Sequence, residues 1–107
     1  LRSSAASDVY KRQLGIITKA RAKNPKIKIL IAGMQMPDNM GPKFTAAFKT
    51  LFPDVANESK ATLIPFLIEG VGGVEKLNQE DGIHPTAEGQ IKVADNVWKF
   101  LHPVISS

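Results

Sequence analysis

The chain contains no cysteine. That excludes a disulfide scaffold and any metal site built on thiolates. It has no apolar run of the ~20 residues that a membrane-spanning helix needs. No basic stretch followed by an apolar run opens it, so no signal peptide is visible. Nor does any serine sit in a context that would make it a nucleophile.

What is present reads as globular. A 43% hydrophobic content over 107 residues suits one small domain and excludes a disordered tail. The net charge of +4 invites a nucleic-acid reading, which the distribution of the charges weakens. Residues 3–13, SSAASDVYKRQ, resemble the translation of a sequencing adapter. They mark 1–13 as a non-native segment to be set apart from 14–107. Without residues 1–13, 11 basic and 9 acidic residues remain. The remaining basic cluster, Lys19, Arg21, Lys23, Lys26 and Lys28, alternates with apolar residues, as a solvated face does. No nucleic-acid partner is expected, and no stable membrane insertion.

The apolar pattern predicts helix, strand, helix, strand, helix. Leu14, Ile17 and Ala20 recur at helical spacing until Asn24-Pro25 ends the run. Lys26–Ala32 (KIKILIA) reads as a buried strand. After the loop MQMPDNMGP, Pro42 suits a first helical turn, and Phe44, Ala47, Phe48, Leu51 and Phe52 form one apolar stripe. Pro53 is expected to break or kink that helix, with a short second piece reaching Ser59. Ala61–Phe66 (ATLIPF) reads as a second strand. A glycine-punctuated loop then runs to Pro85. Thr86 is a plausible N-cap, and Ile91, Ala94, Val97, Trp98 and Leu101 define a last helix stopped by Pro103. This order is part of a parallel α/β fold. Two buried strands need others beside them, so the pattern implies a larger sheet and a truncated domain.

The most informative run is Asp81-Gly82-Ile83-His84-Pro85. An Asp three residues before a His places a carboxylate and an imidazole on one tight loop, after the C-terminal end of the second strand. Catalytic groups of open α/β sheets gather at that edge. A carboxylate that orients an imidazole makes it a general base. On spacing alone, a second reading is equally open: Asp81 caps the loop and His84 is a surface residue. A metal site would need further ligands, and only Glu80 is near.

The longer stretches DGIHPTAEGQ, LIPFLIEGVGG, VADNVWKFL and KILIAGMQMPDNMGPKFTAAF resemble the C-terminal half of the SGNH (GDSL) hydrolases. They look closest to the bacterial arylesterases, lysophospholipases and acyl-CoA thioesterases. The resemblance covers residues 14–105. It implies the C-terminal part of a flavodoxin-like α/β/α sandwich on a parallel sheet. It also implies a serine ester or thioester hydrolase whose last signature block, Asp-x-x-His, falls on Asp81 and His84. The family's other blocks carry a Gly-Asp-Ser nucleophile, and a Gly and an Asn for the oxyanion hole. They are absent from this sequence, so the chain by itself is expected to be inactive.

The resemblance implies no cofactor and no metal. The expected partner is a small-molecule acyl ester or thioester. Met34, Met36 and Pro37 on the loop after the first strand, and Phe66, Leu67 and Ile68 after the second, are candidate acyl-pocket residues. Loop or core packing is the other reading for each. Trp98, Phe44 and Phe48 are expected in the core, and His102 at an exposed helix end. Relatives are often periplasmic or secreted, which leaves the compartment and oligomeric state of this chain open. The competing reading of the whole is a small non-catalytic α/β interaction domain.

Overall fold

The computed structural model describes residues 4–35 and 41–106. Its elements are α1 (Ser4–Lys23), β1 (Leu30–Ala32), α2 (Pro42–Ser59), β2 (Thr62–Ile64), a 3-10 turn (Glu75–Leu77) and α3 (Ala87–Ile105). The class is α/β with a parallel sheet. The chain divides into two compact units, Leu1–Pro65 and Phe66–Ser107.

In the first unit β1 pairs with β2 in parallel, Leu30 opposite Thr62 and Ala32 opposite Ile64. Bonds from Thr62 N–H to Ile29 O (3.0 Å) and from Gly33 N–H to Ile64 O (2.8 Å) extend the ladder at either end. Both strands are shorter than the sequence predicts. Among the described residues each has a single neighbour.

Helices α1 and α2 enclose the core, which contains Ala6, Ile17, Ile31, Phe48, Leu51, Val55 and Ala56. The described residues of the segment that the sequence sets apart contribute to this core. Ala6 is fully buried, and Val9 and Tyr10 pack against the cluster. The cause is periodicity. Ala6, Tyr10, Leu14 and Ile17 fall on one helical face, so α1 continues upstream without a break. Asn24 Oδ1 accepts from Lys26 N–H at 3.0 Å, and this local turn ends α1 ahead of Pro25.

Pro53 does not interrupt α2. Its ring forfeits one backbone bond, but Leu51, Val55, Ala56 and Ser59 are buried on both sides of it. Burial of that face holds the helix together. Arg21, assigned to a solvated face by the sequence, instead donates from Nη1 to Ser59 O at 2.6 Å. A guanidinium at the C-terminal carbonyls of α2 sits where the helix dipole favours positive charge. It ties α1 to α2.

In the second unit, Thr86 caps α3 as expected, its Oγ1 accepting from Gly89 N–H at 3.1 Å. Thr86→Ala is expected to cost about 1 kcal/mol of helix stability, read as faster amide exchange in the first turn of α3. The helix passes through Pro103 to Ile105, contrary to the expected stop. A proline so near the C-terminus removes only one of the last bonds, and Ser106 N–H still reaches His102 O at 3.0 Å. Trp98 is not in the core: it is 51% exposed, its ring tilted 36° against that of His102 with the centroids 4.8 Å apart. Inside this unit α3 is held by the 3-10 turn and by Asn96. Ile91, Trp98 and Ile105, seven residues apart, lie outside those contacts and are exposed. Phe48 is buried and Phe44 packs against the core, their rings 4.7 Å apart. No helix among the described residues is long and apolar enough to cross a membrane.

Candidate active site

The Asp81–His84 loop is a small hairpin. Asn78 and Pro85 form an antiparallel bridge. Gln79 N–H donates to His84 O at 2.8 Å, and Gly82 N–H donates to Gln79 O at 2.8 Å. Thr86 N–H donates to Leu77 O at 2.9 Å and joins the hairpin to α3. Gly82 has φ +70°, a left-handed conformation that a side chain would strain. That turn lets the chain reverse between Asp81 and His84.

The two carboxylate oxygens of Asp81 do different work. Oδ1 accepts from the backbone N–H of Ile83 at 2.9 Å and of His84 at 3.0 Å. Oδ2 lies 2.6 Å from His84 Nδ1. So Asp81 caps the loop and also holds the imidazole. With Nδ1–H donating to Asp81, the neutral ring keeps its lone pair on Nε2. His84 is exposed, its side chain 71% accessible, so that nitrogen is open to a reacting group.

The hydrogen bond from His84, then those from the backbone N–H groups of His84 and Ile83, lower the Asp81 carboxyl from 3.8 to about 2. A lowered carboxylate keeps its contacts in full above 3.8 and loses them as pH falls through about 2. The Asp81 carboxyl carbon is therefore expected to titrate near 2 by NMR. In His84→Ala the midpoint should move up towards 3.8, since the first-named cause is gone. A wild-type midpoint near 3.8 would contradict the geometry.

The other candidate residues are more dispersed. Phe66, Leu67 and Ile68 are half-buried in the unit that carries Asp81 and His84. Leu67 O accepts from Asn96 Nδ2 at 3.0 Å. Ile68 packs on Gly72, where a Cβ would stand 2.8 Å from its Cδ1. Met34 is exposed at the end of β1 in the other unit. Met36 and Pro37 lie outside the described residues. A groove lined by Gly73, Val74, Glu75, Lys76 and the hairpin residues Asn78, Gln79, Glu80 and Gly82 runs along the hairpin, but neither Asp81 nor His84 lines it. Among the described residues no three His, Asp or Glu side chains gather as metal ligands would.

Sequence reasoning missed Asn78 and Asn96. Asn78 Nδ2 donates to Val71 O at 2.8 Å and to Val74 O at 2.9 Å. Asn96 Nδ2 donates to Leu67 O and to Glu69 O, the latter at 2.8 Å. Both amides bind backbone carbonyls of the glycine-rich loop. No local spacing announces such a contact.

No family model matches the chain. Individual proteins do. The chain is 39% identical over 105 residues to esterase TesA of Pseudomonas aeruginosa, covering 98% of this chain and 51% of that protein. A crystal structure of TesA superposes with a TM-score of 0.83 over 92% of this chain and 53% of its own. Thioesterase 1/protease 1/lysophospholipase L1 of Escherichia coli is 34% identical over 77 residues, 72% of this chain and 37% of that protein. The crystal structure of AlinE4, an SGNH-hydrolase family esterase, is 29% identical with a TM-score of 0.66, over 92% of this chain and 51% of its own. The chain is similar to SGNH-hydrolase esterases over about half of their length. It spans about half the length of TesA and 37% of the Escherichia coli thioesterase. That similarity agrees with the parallel β1–β2 pair of the first unit.

Proposed function

We propose that residues 14–107 supply the base half of the catalytic triad in a serine ester or thioester hydrolase. The 2.6 Å contact between Asp81 and His84, with Nε2 left open, carries this reading. The esterase and thioesterase names of the similar proteins support it.

In this reading a serine hydroxyl outside the present sequence attacks the acyl carbonyl carbon. His84 Nε2 takes the hydroxyl proton as the C–O bond forms, and the imidazolium is stabilised by the Asp81 carboxylate. His84 then returns the proton to the departing alkoxide or thiolate, leaving an acyl-enzyme. A water molecule attacks that acyl group, again giving its proton to His84, and the carboxylic acid leaves as the serine is restored. Asp81 stays ionised throughout. No step calls for a cofactor. The substrates are small acyl esters or thioesters. Phe66, Leu67 and Ile68, with Met34, Met36 and Pro37, are proposed to contact the acyl group.

The test joins the whole 107-residue chain to the half of TesA that the chain does not match. The hybrid is expected to hydrolyse p-nitrophenyl acyl esters and acyl thioesters, whereas the 107-residue chain alone stays at the buffer rate. A soluble, folded hybrid with no hydrolysis of either substrate would remove the proposal.

A further inference from the structure

We propose that Asn78 is the positioning residue of the Asp81–His84 pair, its side-chain amide fixing the hairpin that aims the imidazole. The inference rests on the reading of that pair as a catalytic base, and goes beyond it by naming what holds the base in place.

The argument starts from exposure. The side chains of His84 and Asp81 are 71% and 42% accessible, so no wall of packed residues sets their position. Packing usually locks a catalytic rotamer; here the backbone of the hairpin must do so. Within the hairpin, Asp81 grips only its own turn, through Ile83 and His84 N–H. These bonds hold the tip together but do not fix it relative to the rest of the unit.

The hairpin is fixed at its base. Asn78 is the residue that bridges to Pro85, and it is half-buried. Both of its amide protons are used, on Val71 O at 2.8 Å and Val74 O at 2.9 Å. Val71 is fully buried, so one of these carbonyls belongs to a packed residue of this unit. The next residue, Gln79, donates its backbone N–H to His84 O at 2.8 Å. A continuous path thus runs from buried Val71 through the Asn78 amide and the Gln79 backbone to His84. The Gln79 side chain is a weaker candidate: it is exposed and makes one longer bond, 3.2 Å, to Pro85 O.

An aspartate at this position would keep the shape of Asn78. It would lose both donors and turn a charge on two carbonyl oxygens. The hairpin base should then shift. A displacement on the order of 1 Å at a base can lower turnover by about 10²-fold.

The test uses Asn78→Asp and Asn78→Ala and two readouts. The first is the His84 tautomer in the full 107-residue chain, read from long-range 1H–15N correlations of the ring. The wild type is expected as the Nδ1–H form, held by Asp81. Both variants should shift towards a tautomer mixture, while amide protection at Ile31 and Leu63 in the β1–β2 pair stays unchanged. The second readout is turnover of the TesA hybrid, where kcat should fall by about 10²-fold and KM by no more than about twofold. Retention of the Nδ1–H form and of kcat in both variants overturns the inference. So does collapse of all α3 amide dispersion in both, which would mark Asn78 as merely structural. If His84→Ala leaves kcat intact, the base assignment fails instead, and the tautomer readout still reports whether Asn78 positions the ring.

Discussion

Replacing His84 with alanine is expected to lower kcat of the TesA hybrid by about 10⁴-fold, with little change in KM. With its proton held on Nδ1 by Asp81, His84 keeps a lone pair on Nε2 at the hairpin tip, free to accept a hydroxyl proton. Asp81 is engaged on both oxygens, and a carboxyl lowered to about 2 is a poor base. No neighbouring side chain substitutes for the imidazole. Asp81→Asn should cost nearly as much, about 10³–10⁴-fold. Its amide still accepts from Ile83 and His84 N–H through the carbonyl oxygen, so the turn survives. It then presents NH₂ to Nδ1, which favours the opposite tautomer and places the proton on Nε2. The imidazolium also loses its counter-charge. A His84 variant within about tenfold of wild-type kcat is incompatible with this mechanism.

The second large effect concerns the joint between α3 and the 3-10 turn. A Cβ at Gly89 would stand 2.3 Å from Leu77 O and 3.0 Å from Pro85 Cβ. Leu77 O is backbone and already accepts from Thr86 N–H at 2.9 Å, so it cannot swing away as a side chain would. Alanine favours the helix interior by about 1 kcal/mol over glycine. The steric cost of overpacking is about 1–3 kcal/mol, and here the obstacle is rigid, so the clash wins. Gly89→Ala is expected to speed amide exchange at Thr86 and Gln90, which marks separation of α3 from the turn. Slower exchange in the variant would show that the approach is looser than described.

Much of the fold was legible because burial on one face leaves a periodic trace. The Phe44–Phe52 stripe located α2, and the Ile-rich run located β1. The residues misread were those where tertiary contact overrides local chemistry. Pro53 reads as a break, yet buried residues on either side carry the helix through it. Pro103 reads as a stop, yet near a C-terminus it costs one bond. Trp98 reads as core by its size and helical spacing, but those features do not show which contacts hold α3 within its unit.

The site divides in the same way. Asp81 and His84 were legible because their contact is local, three residues apart, and a glycine in the left-handed region lies between them. The supports were not. Asn78 reaches back to Val71 and Asn96 reaches back to Leu67 and Glu69, and a side-chain amide on a distant carbonyl leaves no pattern in a sequence.

The most direct measurement is chemical rescue. Turnover of a p-nitrophenyl acyl ester by the TesA hybrid carrying His84→Ala is followed as free imidazole is added. The account predicts that activity is lost without imidazole and rises with its concentration, because the vacated space beside Asp81 readmits the missing base. Turnover that is close to wild type in the variant, and indifferent to imidazole, would contradict it.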